Sequence, residues 1–256
     1  MKRVLVLVPF AMDEDGLARR RAQMAGVALH PDVEYEFRPV AAGPTSFTSA
    51  HDWLLLEVAI FEAGLGAEDD GYDAVVIDTA SDSGVDALRS VLDIPVVGPG
   101  RASLLVALML GGSFGVLAQW QPALARVRTS LAHWELAAHC AAVDHFDTEP
   151  DFLGLIGTKR EEVFPKMEEA CRRLIAAGAD VICLGSTTMH EAHGHLAETL
   201  PVPVVNPGPL SYKLAEVLLA GKWSHSRTAY PQPLVAKTEM VHAMMRAAQA
   251  SERSSS

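Results

Sequence analysis

Cysteine is scarce in this chain. Cys140, Cys171 and Cys183 are the three present among 256 residues, each inside an apolar stretch and none at metal-ligand spacing. That excludes a disulfide framework and fits a reducing, cytoplasmic setting. Long hydrophobic runs are missing too. None approaches the roughly 18 to 20 apolar residues that span a bilayer, so no membrane association is expected. The opening MKRVLVLVPF has a short apolar run followed by charged DEDG and is read as a first strand, not as a signal peptide. Positive charge is in deficit: a formal net charge of -11 with no basic stripe argues against nucleic acid as a partner. Cofactor and hydrolase signatures are also lacking. Gly98-Pro99-Gly100 has no third glycine of a dinucleotide fingerprint, and Ser186 sits in LGSTT, not in the G-x-S-x-G elbow. In HEAHGH, Gly194 stands where a zinc-protease motif needs its second histidine, although His190 and His193 would share a helix face. The expectation is an enzyme with no metal and no cofactor.

What is present is apolar residues and repetition. With 49% hydrophobic residues the chain can bury a full core, or two half-sized ones. The stretch starting DAVVIDTASDSG lies over the one starting DVICLGSTTMHE: Asp73 matches Asp180 and Thr79 matches Ser186, both offset by 107 (180 minus 73, 186 minus 79). Downstream, IPVVGPG matches VPVVNPG with an offset of 108 (203 minus 95), so one inserted residue reconciles the halves. Strand candidates are RVLVLVPF, VEYEFRPV, AVVIDTA and IPVVGPG, then GSFGVLAQ, CAAVDHF, DVICLGST and VPVVNPG. Most are continuous Val/Ile/Leu runs, the pattern of strands covered on both faces in a parallel sheet. The alternation of VEYEFRPV suits an edge. In EEVFPKMEEACRRLIAAGAD the residues Val163, Met167, Cys171, Leu174 and Ile175 share one helical face, and Gly178 ends the helix. The expected fold is α/β, with two pseudo-symmetric flavodoxin-like lobes, each holding a four-stranded parallel sheet, and an active-site cleft between them. Lobe A takes residues 1–112 plus 207–256 and lobe B residues 113–206. The closing AQASERSSS is expected to be disordered.

In open parallel sheets, ligands bind beyond the carboxyl ends of the strands. The turns there carry Pro9 and Phe10; Thr79, Ala80, Ser81 and Asp82; Gln119 and Trp120; and Ser186, Thr187 and Thr188, followed by His190. Two hydroxyl-bearing turns at equivalent places would hold a small anionic or amide-containing substrate between them, helped by unpaired N–H groups at helix starts. Alternatively, Thr79, Ser81, Ser186 and Thr188 cap the helices that follow. Phe10 and Trp120 either wall a substrate side chain or pack internally. His190, four residues after Ser186, is the best candidate for a general acid or base, or else a solvent-facing residue. Asp78 and Asp82 flank the first turn as further candidates.

GADVICLGSTTM resembles the second active-site strand of the aspartate/glutamate/hydantoin racemase superfamily, and AVVIDTASDSG resembles the first. VPVVNPGPLSYKLAEVLLAGKWSHSRTAYPQP is similar to that family's C-terminal pattern, down to its Ser/Thr-Arg and Tyr-x-x-Pro endings. The resemblance implies a cofactor-independent isomerase, expected to be a homo-oligomer, in which two thiols flank the substrate's α-carbon. Here Thr79 and Ser186 occupy the thiol positions, and an alcohol is far harder to ionise than a thiol of pKa about 8.5. Val8-Pro9-Phe10 replaces the Asn-Pro-Asn signature of hydantoin racemases, which argues against an ordinary hydantoin. The expectation is therefore a divergent racemase-like isomerase of a small carboxylate or cyclic amide, with Thr79, Ser186 and His190 catalytic. The alternatives are a decarboxylase, lyase or hydrolase that uses the Thr/Ser pair to bind an oxyanion, and a catalytically silent small-molecule-binding protein.

Overall fold

The computed structural model describes residues 1–149 and 160–255. The strands are β1 (Lys2–Val8), β2 (Val33–Pro39), β3 (Ala74–Ile77), β4 (Val96–Val97), β5 (Phe114–Ala118), β6 (Cys140–His145), β7 (Val181–Leu184) and β8 (Val204–Val205). The helices are α1 (Glu14–Arg21), α2 (Ala50–Gly64), α3 (Val85–Val91), α4 (Pro99–Leu110), α5 (Ala123–His133), α6 (Arg160–Ala176), α7 (His193–Thr199), α8 (Pro207–Gly221) and α9 (Thr238–Ser255). Two compact units result. The first comprises Met1–Asp78, Asp82–Gly98 and Ser211–Ser256; the second comprises Thr79–Ser81 and Pro99–Leu210.

The first unit holds a parallel sheet in the order β2-β1-β3-β4, and VEYEFRPV forms its edge. Alternation along the central strand sends side chains to two cores. Val4, Val6 and Val8 pack with Leu17 of α1 and with Tyr212 and Ala215 of α8. Leu5 and Leu7 are equally buried on the opposite face, where Gly64 lets α2 come close; a Cβ there would lie 2.9 Å from Leu7. Each such apolar side chain contributes roughly 1.5–3 kcal/mol on burial. α2 begins at a capping box in which Ser49 and Asp52 satisfy each other's backbone N–H. The SRTAY ending closes against α3: Arg227 donates to the Arg89 carbonyl at 2.7 Å, and Arg89 donates to the Tyr230 hydroxyl at 2.9 Å. The tail departs from expectation. α9 continues through AQASERSS; it packs on α2, where His242 Nδ1 lies 2.8 Å from Glu62 Oε1, Met245 is buried, and Glu252 accepts from the Gly43 N–H at 3.1 Å ahead of α2.

The second unit repeats the plan in the order β6-β5-β7-β8, again all parallel. Along β7, Ile182 and Leu184 face α6 and α7, meeting Val163, Met167, Cys171, Leu174 and Leu196. Val181 and Cys183 face Leu104 and Ala107 of α4 and Leu131 of α5. α4, which the sequence boundaries group with lobe A, packs on β5, β7 and β8. Gly178 ends α6 at φ +103, a conformation an L side chain rarely adopts, while the Ala179 N–H returns to the Leu174 carbonyl. The halves share one more detail. Asp73 accepts from the Arg3 N–H at 2.8 Å, and its match Asp180 accepts from the Ser113 N–H at 3.1 Å. Among the described residues no helix is long and apolar enough to cross a membrane.

Candidate active site

Every expected site residue lies at or just after the carboxyl end of a strand, except His190, which sits one turn further on. Pro9 and Phe10 follow β1, and Thr79, Ala80, Ser81 and Asp82 follow β3; these strands are hydrogen-bonded neighbours with Leu7 opposite Ile77. Gln119 and Trp120 follow β5, and Ser186, Thr187 and Thr188 follow β7, neighbours with Leu117 opposite Leu184. Thr79–Ser81 groups by its contacts with the second unit, which also holds Gln119, Trp120 and Ser186–Thr188.

The two hydroxyl turns have the same internal geometry. Thr79 Oγ1 and Ser81 Oγ share a hydrogen bond of 3.1 Å, and Ser186 Oγ and Thr188 Oγ1 share one of 2.8 Å. Their relation to the following helices differs. Ser186 does cap: its Oγ accepts from the Thr188 N–H at 3.3 Å at the start of a 3-10 turn over Thr187–Ala192. Thr79 and Ser81 do not cap α3, whose N-cap is Gly84 at φ 77. Thr187 and Thr188 are buried, whereas Thr79, Ala80, Ser81, Asp82, Trp120, Ser186 and His190 are half-buried. Gln119 is buried, and its carbonyl accepts from Thr148. Phe10 is buried against Phe47, ring centroids 5.1 Å apart, and Phe47 stacks on Trp53 at the same spacing; packing, at least, is one of its functions.

Asp78 is no free base. Its carboxylate takes hydrogen bonds from Arg20 Nε at 2.8 Å and Gln23 Nε2 at 3.0 Å, with Arg20 Nη2 also 2.5 Å away, and both charged side chains are at most 3% exposed. Asp82 adopts φ 53, and Gly98 makes room for it: a Cβ on Gly98 would fall 2.5 Å from the Asp82 carboxyl carbon. In HEAHGH the side chains have separate partners. Glu191 pairs with Arg160, His193 Nε2 lies 3.1 Å from the Val204 carbonyl, and His195 stacks on Phe164. Among the described residues, no group of three or more His, Cys, Asp or Glu could hold a metal ion. Burial pushes the three thiols up, Cys171 to about 12 and Cys183 further, which disfavours the thiolate form.

Sequence reading missed three residues. Arg126 on α5 donates to the Ser81 carbonyl at 3.4 Å, bringing a guanidinium to the first turn. Arg20 and Gln23 hold Asp78. The usable signal was Asp78 itself, an aspartate ending an apolar strand, which must find a cation if it is buried.

Comparison with known proteins places this arrangement. The family model described as Asp/Glu/Hydantoin racemase matches residues 17–215. A hydantoin racemase of Pseudomonas sp. (strain NS671) is 31% identical over 75% of this chain and 76% of its own. The solved allantoin racemase from Klebsiella pneumoniae has a TM-score of 0.80 at 24% identity, covering 92% of this chain and 95% of that one. Allantoin racemase from Pseudomonas fluorescens follows, with a TM-score of 0.79 at 23% identity over 92% and 98%. The solved structures speak to the fold; the family model and the sequence relative, to descent: the chain belongs to the Asp/Glu/hydantoin racemase family.

Proposed function

We propose that this chain is an isomerase that moves a proton at the α-carbon of a small carboxylate or cyclic amide, bound between the Thr79–Ser81 and Ser186–Thr188 turns, without a thiol base. The observation that carries the reading is the matched hydroxyl pair, closed at 3.1 Å in one turn and 2.8 Å in the other. Paired hydroxyls at strand ends are suited to hold the oxygen that becomes an enolate when an α-proton leaves. Arg126 at the Ser81 carbonyl supports an anionic substrate. The raised thiols support a non-thiol base. With Asp78 engaged by Arg20, His190 is the candidate that remains nearest the second turn, four residues beyond Ser186. The hydantoin racemase relatives support a cyclic amide.

Incubation in deuterium oxide with amino acids, substituted hydantoins and arylmalonates tests this. Deuterium at the α-carbon of recovered substrate is the expected result. Carbon dioxide or a ring-opened product would establish a lyase or hydrolase in its place, and binding with no exchange would establish a silent binding protein.

A further inference from the structure

The buried pair behind Thr79 has no part in the chemistry just described. Arg20 reaches across from α1 and takes hold of Asp78 twice over: Nε and Nη2 engage the carboxylate, and Nη2 also donates to the Asp78 main-chain carbonyl at 3.2 Å. Gln23 adds a third donor to the same carboxylate oxygen. The Asp78 N–H is meanwhile committed to the Leu7 carbonyl at 2.9 Å. The amide, the carbonyl and one carboxylate oxygen of Asp78 are thus all engaged. Because the peptide unit is planar, fixing its carbonyl fixes the direction of the Thr79 N–H and the exit of the turn.

We propose that Arg20, acting through Asp78, is a positioning residue that sets the geometry of the Thr79–Ser81 turn. Two observations support a positioning role over simple stabilisation. Burying two charges costs several kcal/mol per ion, and an apolar pair of similar volume is often as stable or more so, so stability alone is a weak reason to keep this one. The matched place in the second half is also a fixed point, made by other means. Gly185 precedes Ser186, its N–H donates to the Leu117 carbonyl at 2.8 Å, and a Cβ there would fall 2.7 Å from that same oxygen. In both halves the residue before the hydroxyl is held in place by contacts: by a charged clamp in one and by backbone contact in the other.

The inference rests on the proposed function only for its kinetic arm. The double substitution Arg20→Met with Asp78→Leu removes the clamp without stranding a charge, and Arg20→Lys keeps the charge while losing the planar fork. The double variant is expected to melt near the wild-type temperature, yet to show Thr79 and Ser81 amide protons exchanging about tenfold faster or more by NMR. Turnover in the deuterium assay should fall about a hundredfold, as expected for a displacement of about 1 Å, with KM changing far less. Arg20→Lys should fall between. Wild-type turnover together with unaltered Thr79 and Ser81 amides in a folded double variant would overturn the proposal. If the double variant does not fold, unchanged amide exchange in Arg20→Lys overturns it equally. If the wild type exchanges no candidate substrate, the functional reading fails, and the amide measurement still decides the role of Arg20.

Discussion

At the end of β3 the residue before the hydroxyl is an aspartate gripped by a guanidinium; at the end of β7 it is a glycine pressed onto a carbonyl. The same contrast recurs one strand over. Gly98 leaves space that the Asp82 carboxyl fills, while its match Asn206 extends Nδ2 to the His190 carbonyl at 3.5 Å. Ser186 caps the turn that follows it and Thr79 does not. Both turns present a hydrogen-bonded pair of hydroxyls, and the support behind each is different. Two supports with different physics should fail differently, and that is testable.

The largest effect is expected from Arg20→Ala, which leaves the Asp78 carboxylate buried without its cation and should cost about 3–5 kcal/mol, measured as a lowered urea midpoint. Next come the hydroxyls themselves. Ser186→Ala should cut turnover about a hundredfold, on the scale of removing one oxyanion donor, and Thr79→Ala should do the same if the turns are equivalent. A loss confined to one of the two would show that the repeat is structural and the chemistry one-sided. Gly185→Ala drives a methyl toward the Leu117 carbonyl and should destabilise by about 1–3 kcal/mol, the range of overpacking. If it proved as costly as Arg20→Ala, the contrast drawn between clamp and contact would collapse. The smallest effect is expected from iodoacetamide at pH about 8. With Cys171 and Cys183 buried and all three thiols raised, activity should survive treatment, and substrate-protected inactivation tracking the labelling of Cys183 would restore a thiol to the mechanism.

Much of the frame could be read from residue order. Runs such as VLVLV and VICL have no polar face, which dictates central strands covered on both sides, and the alternation of VEYEF dictates an edge. The strand ends follow directly, and with them the positions of the candidate site residues. Long-range pairings could not be read. Arg20 lies in ARRRAQ, which looks like a solvated helix face, and its partner is 58 residues away. Arg126 gave no local signal for the same reason. The tail misled because its composition is small and polar, and the contacts of α9 with α2 and of Glu252 with Gly43 are ones that composition does not reveal. The hydroxyls could be listed from sequence, but their pairing within each turn required coordinates.

The aspartates at the opposite ends of the strands bear on all of this. A parallel ladder has evenly spaced hydrogen bonds, and an apolar run such as VVI packs almost as well one residue out of step. Asp73 and Asp180 remove that ambiguity by holding an amide of the neighbouring strand where β1 and β5 begin. From each aspartate it is six residues to the hydroxyl (79 minus 73, 186 minus 180). A strand of fixed rise per residue is then a measuring rod, zeroed by a carboxylate, whose four residues deliver the hydroxyl turn about 13 Å away. The edge that carries the candidate hydroxyls is thus surveyed from the opposite one, and a substitution at Asp73 or Asp180 is expected to shift those hydroxyls without touching them.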